Sequence, residues 1–221
     1  MTTKTALHPV SSPGLYHVKA LRSMKITNKF PELLLLATLS MLLSTTGIAG
    51  TLDVGGVKVQ ESLTIYNNTL LLNGAGLVSS GKTHSYVVQI YAKQKFKTLD
   101  ELFAVPGPKR LVLTAVKEVD TGPIVKMFNR SVDDVAGKND RAKLIPGLMS
   151  IGEIFKTNRV FKPGDVMTMD WVPISGMVIY LGGKLQGQPY REPELFKAAM
   201  GVWMGEFPAD AKVKDSLLGQ M

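Results

Sequence analysis

The sequence predicts a single α+β domain, one antiparallel sheet with helices gathered on one face. Three observations carry this. Strand-like sequence fills residues 54–117, helical spacing follows to 156, strands return over 166–188, and helices close the chain. That order is not the regular β-α-β alternation of a doubly wound fold. No repeat at a fixed period and no low-complexity linker divides residues 50–221, and 45% hydrophobic with 20% charged residues is the composition of a folded globular chain.

The front of the chain reads as an address. Residues 1–32 carry Lys4, Lys19, Arg22, Lys25 and Lys29 against one acid, Glu32, and precede the apolar run Leu33–Leu43 and the small-residue exit Gly47-Ile48-Ala49. This is the secretory signal pattern, with cleavage expected between Ala49 and Gly50. A membrane-spanning helix needs about 20 apolar residues, and this run is shorter and is broken by Thr38 and Ser40. An uncleaved anchor is the alternative. Met24 opens a compact signal of its own, which makes residues 1–23 an upstream extension. The expected division is therefore an extension and signal over 1–49 and one domain over 50–221, with no membrane span in the mature chain.

Within the domain, Val57-Lys-Val59 and Ser62–Tyr66 alternate as strands do. Thr69–Leu72 reads as a strand running into Asn73-Gly74, a turn signal. Ser85–Ala92 is rich in Val and Tyr; His84, Tyr86, Val88 and Ile90 share one face of it, and Ser85, Val87, Gln89 and Tyr91 the other. Thr98-Leu-Asp-Glu101 is a capping-box pattern opening a short helix that Pro106-Gly-Pro108 ends. Arg110–Val116 is a strand with Leu111, Leu113 and Ala115 on one side. Ile124–Val135 and Arg141–Lys156 read as helices, the second with a Leu144, Leu148, Ile151 and Phe155 stripe and Pro146 near its start or kinking it. Lys162–Asp165 is a turn. Val166–Val172 and Met177–Leu181 are strands, and Gly182-Gly183 leads to a third over Lys184–Gln188. Glu194–Met204 reads as an amphipathic helix with Phe196, Ala199, Met200 and Trp203 inward. A last helix opens at Pro208, has Asp210 in its first turn and ends at Gly219.

Composition excludes several chemistries. The chain has no Cys and three His, of which only His84 lies in the domain, so thiolate catalysis and His or Cys metal cages are excluded. No metal and no cofactor is implied. The net charge of +8 is inflated by the leader: it holds five of 26 basic and one of 18 acidic residues, leaving +4 over 172 residues. That balance, with no basic stripe interleaved with aromatics, does not point to nucleic acid. Lys93-Gln-Lys95-Phe-Lys97 reads as a solvated strand end. A Ser-His-Asp triad would have to use His84, more economically read as a packing or surface residue. Asp133 and Asp134 diverge by about 100° on a helix and read as solvated. Gly74-Ala-Gly76 lacks the third glycine of a dinucleotide fingerprint and reads as a tight bend.

Taken in order and spacing, several short motifs resemble the chalcone isomerase-like family, in its exported bacterial branch. They are Leu72-Asn-Gly-Ala-Gly76-Leu77, Val88-Gln-Ile90-Tyr91, Gly164-Asp165, Gly182-Gly183, Phe196–Gly205 with Pro208, and Val213–Gly219. The similarity spans about residues 52–219. It implies an open-faced β-sandwich, a large antiparallel sheet covered by helices. It also implies either cyclisation of a chalcone, by addition of a phenolate to an enone, or binding of a fatty acid. Both activities use an Arg two residues after the last Gly of the motif, and here that position is Val78. The enzymes' Thr on the next strand corresponds to Tyr86, and their Tyr near Thr121-Gly122 has no counterpart between Tyr91 and Tyr180. The resemblance thus implies the fold without the catalytic set. It places any ligand near Gly76, Val78, Lys82, His84 and Tyr86, with Lys82 or His84 the only substitutes for the missing cation. Three functions follow as expectations: an exported non-catalytic protein binding an apolar or acyl ligand between sheet and helices; an isomerase or lyase with a substituted residue set; or an envelope scaffold that binds protein and no small molecule.

Overall fold

The structure is a computed structural model that describes residues 50–80, 84–136 and 141–220. The expected signal over 1–49 and its cleavage site, and Lys82 among the candidate residues, lie outside these.

Two short strands, β1 (Thr51–Val54) and β2 (Val57–Gln60), form a hairpin across Gly55-Gly56, whose φ values of 57° and 85° suit a tight two-residue turn. Strands β3 (Ser62–Ile65), β4 (Asn68–Ser80) and β5 (His84–Ala92) follow, then helix α1 (Leu99–Ala104) and β6 (Lys109–Ala115). A two-residue strand β7 (Val119–Asp120) precedes α2 (Gly122–Val135) and α3 (Arg141–Thr157), and β8 (Val160–Phe161) returns to pair with β7. Strands β9 (Val166–Val172), β10 (Gly176–Leu181) and β11 (Lys184–Tyr190), then α4 (Pro193–Met204) and α5 (Ala211–Leu217), complete the chain.

Seven strands form one antiparallel sheet in the order β11-β10-β9-β6-β5-β4-β3. Its alternation places Val88, Ile90, Leu111, Leu113, Met167, Met169, Met177 and Ile179 on one face, against Phe196, Met200 and Trp203 of α4. The opposite face carries a smaller cluster, Val59, Ile65, Leu70, Leu72, Val87 and Tyr91, beneath the β1–β2 hairpin. The expected sheet with helices on one face is therefore observed, with a two-stranded ribbon added on the other.

The sheet curls. Tyr66, at the tip of the β3–β4 turn, reaches across β5 and β6 and donates its hydroxyl to Asp170 of β9 at 2.9 Å. Tyr66 and Asn67 hold φ values of 48° and 57°, a left-handed pair that ordinarily selects Gly and Asn.

Four local expectations are corrected. Asn73-Gly74 is not a turn: β4 runs on to Ser80, and the pair marks a bulge where the register against β5 shifts between Leu72 and Gly74. Asn73 is buried and fully engaged, donating to the carbonyls of Phe96 at 3.0 Å and Leu217 at 2.7 Å and accepting from Phe96 N–H at 2.8 Å. The glycines of Gly74-Ala-Gly76 serve close approach rather than a bend: a Cβ at Gly74 would collide with the backbone of Ser216 and Leu217, and one at Gly76 would stand 3.0 Å from Val213. Helix α4 is not half-exposed, for nine of its residues from Leu195 to Met204 are buried, because α2 covers the side turned away from the sheet. Gly201 makes that possible, since a Cβ there would overlap the Ser131 hydroxyl of α2. Helix α5 begins at Ala211, with Asp210 as its N-cap accepting from the N–H groups of Lys212 at 2.8 Å and Val213 at 3.1 Å. The Thr98 cap is as expected, accepting from Glu101 N–H at 3.1 Å.

Candidate functional site

The candidate residues sit on the β4–β5 hairpin. Register places Val78 opposite Tyr86 and Gly76 opposite Val88, all turned toward the helices. Val78 and Tyr86 are 5% and 7% exposed, so neither lines an open pocket. His84 pairs with Ser80 at the outer end of the hairpin. Tyr86 Oη accepts a hydrogen bond from Trp203 Nε1 at 3.2 Å. Burial, with a smaller contribution from the Asp210 carboxylate, raises the Tyr86 phenol above its ordinary value, so the group is a neutral hydroxyl at physiological pH. Helix α5 seals this end by laying Val213 over Gly76 and Ser216 over Gly74.

Trp203 also lines a small apolar recess of about 10 Å³, bounded by apolar side chains and partly open. The sheet supplies Met169 and Met177 as its floor, α2 supplies Ile124 and Phe128, and α3 supplies Ile151 and Phe155. A void this size has room for about one water, and an apolar lining leaves it dry. Methionine side chains are unbranched and adapt to different occupants, so this floor is able to deform.

Val125 and Phe155 line this void and also an open surface depression of about 460 Å³, whose rim is Asp120, Thr121, Gly122, Lys156 and Arg159. The rim is framed by fixed elements. Strands β7 and β8 pair Asp120 with Val160, and the Thr121 N–H and hydroxyl both donate to the Arg159 carbonyl, at 2.9 and 3.0 Å. Thr121 does not cap α2 with its side chain; Asp120 Oδ1 does so, accepting from Gly122 N–H at 2.8 Å. Lys156 lies 3.3 Å from Glu153, both largely exposed.

A polar cluster unforeseen from the sequence occupies the opposite face of the sheet. Arg110 and Asp170, register partners on β6 and β9, form a two-pronged ion pair at 2.7 and 2.6 Å. Tyr66 Oη, bonded to the same carboxylate, lies 3.2 Å from Tyr180 Oη. Burial, the Tyr180 hydrogen bond and the Asp170 charge raise the Tyr66 phenol. Burial alone would lower the Arg110 guanidinium, but Asp170 more than offsets it. Strand alternation puts Arg110 and Asp170 on one face, yet the sequence gives no sign that β6 and β9, with two helices between them, are neighbours. The buried Lys109 ammonium, lowered by desolvation, donates to the carbonyls of Val105 at 2.6 Å and Gly107 at 3.2 Å and closes the loop after α1.

Among the described residues no group of three or more acidic or His side chains could hold a metal, and no helix is long and apolar enough to cross a membrane. The expected solvation of Asp133 and Asp134 holds in that both are exposed, and Asp133 pairs with Arg141.

The family described as chalcone isomerase-like matches residues 51–219. No curated protein matches the sequence. Among solved structures, a fatty-acid binding protein of Arabidopsis thaliana is similar, with a TM-score of 0.58 at 16% identity; the match covers 76% of this chain and 96% of that one.

Proposed function

The chain belongs to the chalcone isomerase-like family, and we propose that it is a non-catalytic member that takes an apolar, acyl-type ligand into the cleft between sheet and helices. The observation that carries this is the wholly apolar seam among α2, α3, α4 and the sheet, floored by Met169 and Met177, which at about 10 Å³ must widen to hold a chain. Ligand sites of this kind are concave and mostly apolar. The fatty-acid binding function of the similar plant protein points the same way. In this reading Val78 and Tyr86 back the cleft behind Trp203, and ligand entry spreads side chains that are closed in the empty protein.

The same residues argue against cyclisation. The reaction moves negative charge from a phenolate to an enolate oxygen, and losing one placed donor at such a site costs on the order of 10²–10³ in rate. Here the cation's position is the buried Val78, and the Tyr86 hydroxyl is engaged by Trp203. Purified protein should leave 2′-hydroxychalcone cyclising at the buffer rate.

The binding test uses methyl cis-parinarate, a neutral long-chain polyene that accepts energy from tryptophan. Energy transfer of this kind reaches across a domain of this size, so saturable quenching of the tryptophan emission is expected in wild type. No saturable binding would overturn the reading. It would favour instead a scaffold that binds protein through the exposed Ile145 and Met149 of α3, which the small size of the void also suits. The proposal includes export, motivated by the basic segment, the Leu33–Leu43 run and Gly47-Ile48-Ala49. N-terminal sequencing of protein from its native host should read from Gly50; an intact leader on a cytoplasmic protein would refute it.

A further inference from the structure

We propose that the ligand enters between α2 and α3 and that its head is an anion, a carboxylate or similar group, held at the rim by Arg159 and Lys156; this rests on the apolar cleft proposed above. The family resemblance puts a head group at the β4–β5 end, and in this chain that end is shut. Val78 stands where the cation would be, Tyr86 is bonded to Trp203, and α5 presses Val213 and Ser216 onto Gly76 and Gly74. The other end adjoins an open surface depression. There Val125, half-buried, and Phe155 line both the void and the 460 Å³ depression. A route at this end runs past side chains shared by the two spaces, whereas opening the β4–β5 end requires moving a helix.

The chemistry of the rim selects the head group. Its ionisable members are Lys156, Arg159 and Asp120. The Asp120 carboxylate is turned back to Gly122 N–H, and Glu153 already draws on Lys156, so Arg159 is the principal anchor and Lys156 the secondary one. A guanidinium suits a carboxylate because its planar donors match two oxygens at once. The arrangement selects a single-chain anionic amphiphile, its tail on Met169 and Met177 and its head at the surface. A ligand with polar groups along its whole length would bury them unpaired against an apolar wall.

The test compares cis-parinaric acid with its methyl ester at pH 8 and low salt, read by energy transfer from tryptophan. The proteins are wild type, the double variant Lys156→Gln/Arg159→Gln, and a control of equal charge change, Lys93→Gln/Lys212→Gln, away from the rim. All four positions are exposed, so folding is preserved. Exposed ion pairs are individually weak, and two together give a loss of about fivefold. The acid should bind wild type more tightly than the ester does, and the rim variant should lose about fivefold for the acid and nothing for the ester. The control should change neither. An acid affinity unchanged in the rim variant would overturn the anchor and leave the cleft standing. An equal loss for acid and ester would also overturn it, showing that these residues shape the mouth and do not hold charge. Binding of neither probe to wild type would remove the cleft itself.

Discussion

Removing the Asp170 carboxylate tests what holds the sheet curled. Asp170 is fully buried and accepts from Arg110 Nε, Arg110 Nη2 and Tyr66 Oη, while the Arg110 side chain keeps 23% of its exposure. Breaking a buried ion pair from one side costs roughly 3–5 kcal/mol, because it strands the other charge. Water can still reach Arg110, so Asp170→Ala belongs at the lower end, about 3 kcal/mol. For a chain of this size that is a fall in melting temperature of roughly 6–12 °C. Tyr66→Phe removes one bond from an exposed donor and should cost about 1 kcal/mol. Both belong to one network, so the double variant should cost less than the sum of the singles by roughly 0.5 kcal/mol or more. Replacing the pair together, Arg110→Met with Asp170→Leu, leaves no stranded charge and should return stability to within about 1 kcal/mol of wild type. Urea unfolding followed by circular dichroism reads all four. A cost below about 1 kcal/mol for Asp170→Ala at unchanged m-value would refute the reasoning. So would a paired variant as unstable as the single one, which would mean that the cluster's shape rather than its charge balance matters.

Gly74→Ala would push a Cβ into the backbone of Ser216 and Leu217, which has no free end to swing away. We expect α5 to lift from β4 at a cost of roughly 3 kcal/mol, visible as faster amide exchange in Val213–Leu218; protection equal to wild type would count against the close-approach reading. The tyrosines set an alkaline limit. Burial pushes the Tyr91 phenol up to about 12, and Tyr66 and Tyr86 are also raised above the ordinary 10.0. A group raised in the folded state favours folding fully below its unfolded pKa and loses that contribution as pH rises toward the folded one. Stability should therefore be level up to about pH 10 and decline toward pH 12. Tyr91→Phe should shallow the decline; a flat urea midpoint through pH 11.5 in wild type would contradict this.

The sequence by itself determined the class of fold and the main elements, though not the short strands β1, β7 and β8. Alternation at 85–92 and 110–116 identified strands and sorted their residues by face, because successive side chains in a strand point to opposite faces; that β5 is buried on both faces came only from the structure. Thr98 identified a cap, because its signal is local. The absence of Cys and the single His84 in the domain excluded thiolate catalysis and His or Cys metal cages before any geometry was known, while Val78 in place of a cation was legible only through the family resemblance. Tertiary structure decided whatever depends on a neighbour distant in the chain. Asn73-Gly74 has the local chemistry of a turn, and only the arrival of α5, some 140 residues later, makes it a bulge and gives its glycine the task of close approach. The Arg110–Asp170 pair exists because β6 and β9 are sheet neighbours, and periodicity does not encode strand order. The candidate entrance depends on which helix pair leaves a seam and which is closed by glycine contact. That follows from side-chain volumes meeting across elements, so neither the void beside Trp203 nor the Arg159 rim was legible along the chain.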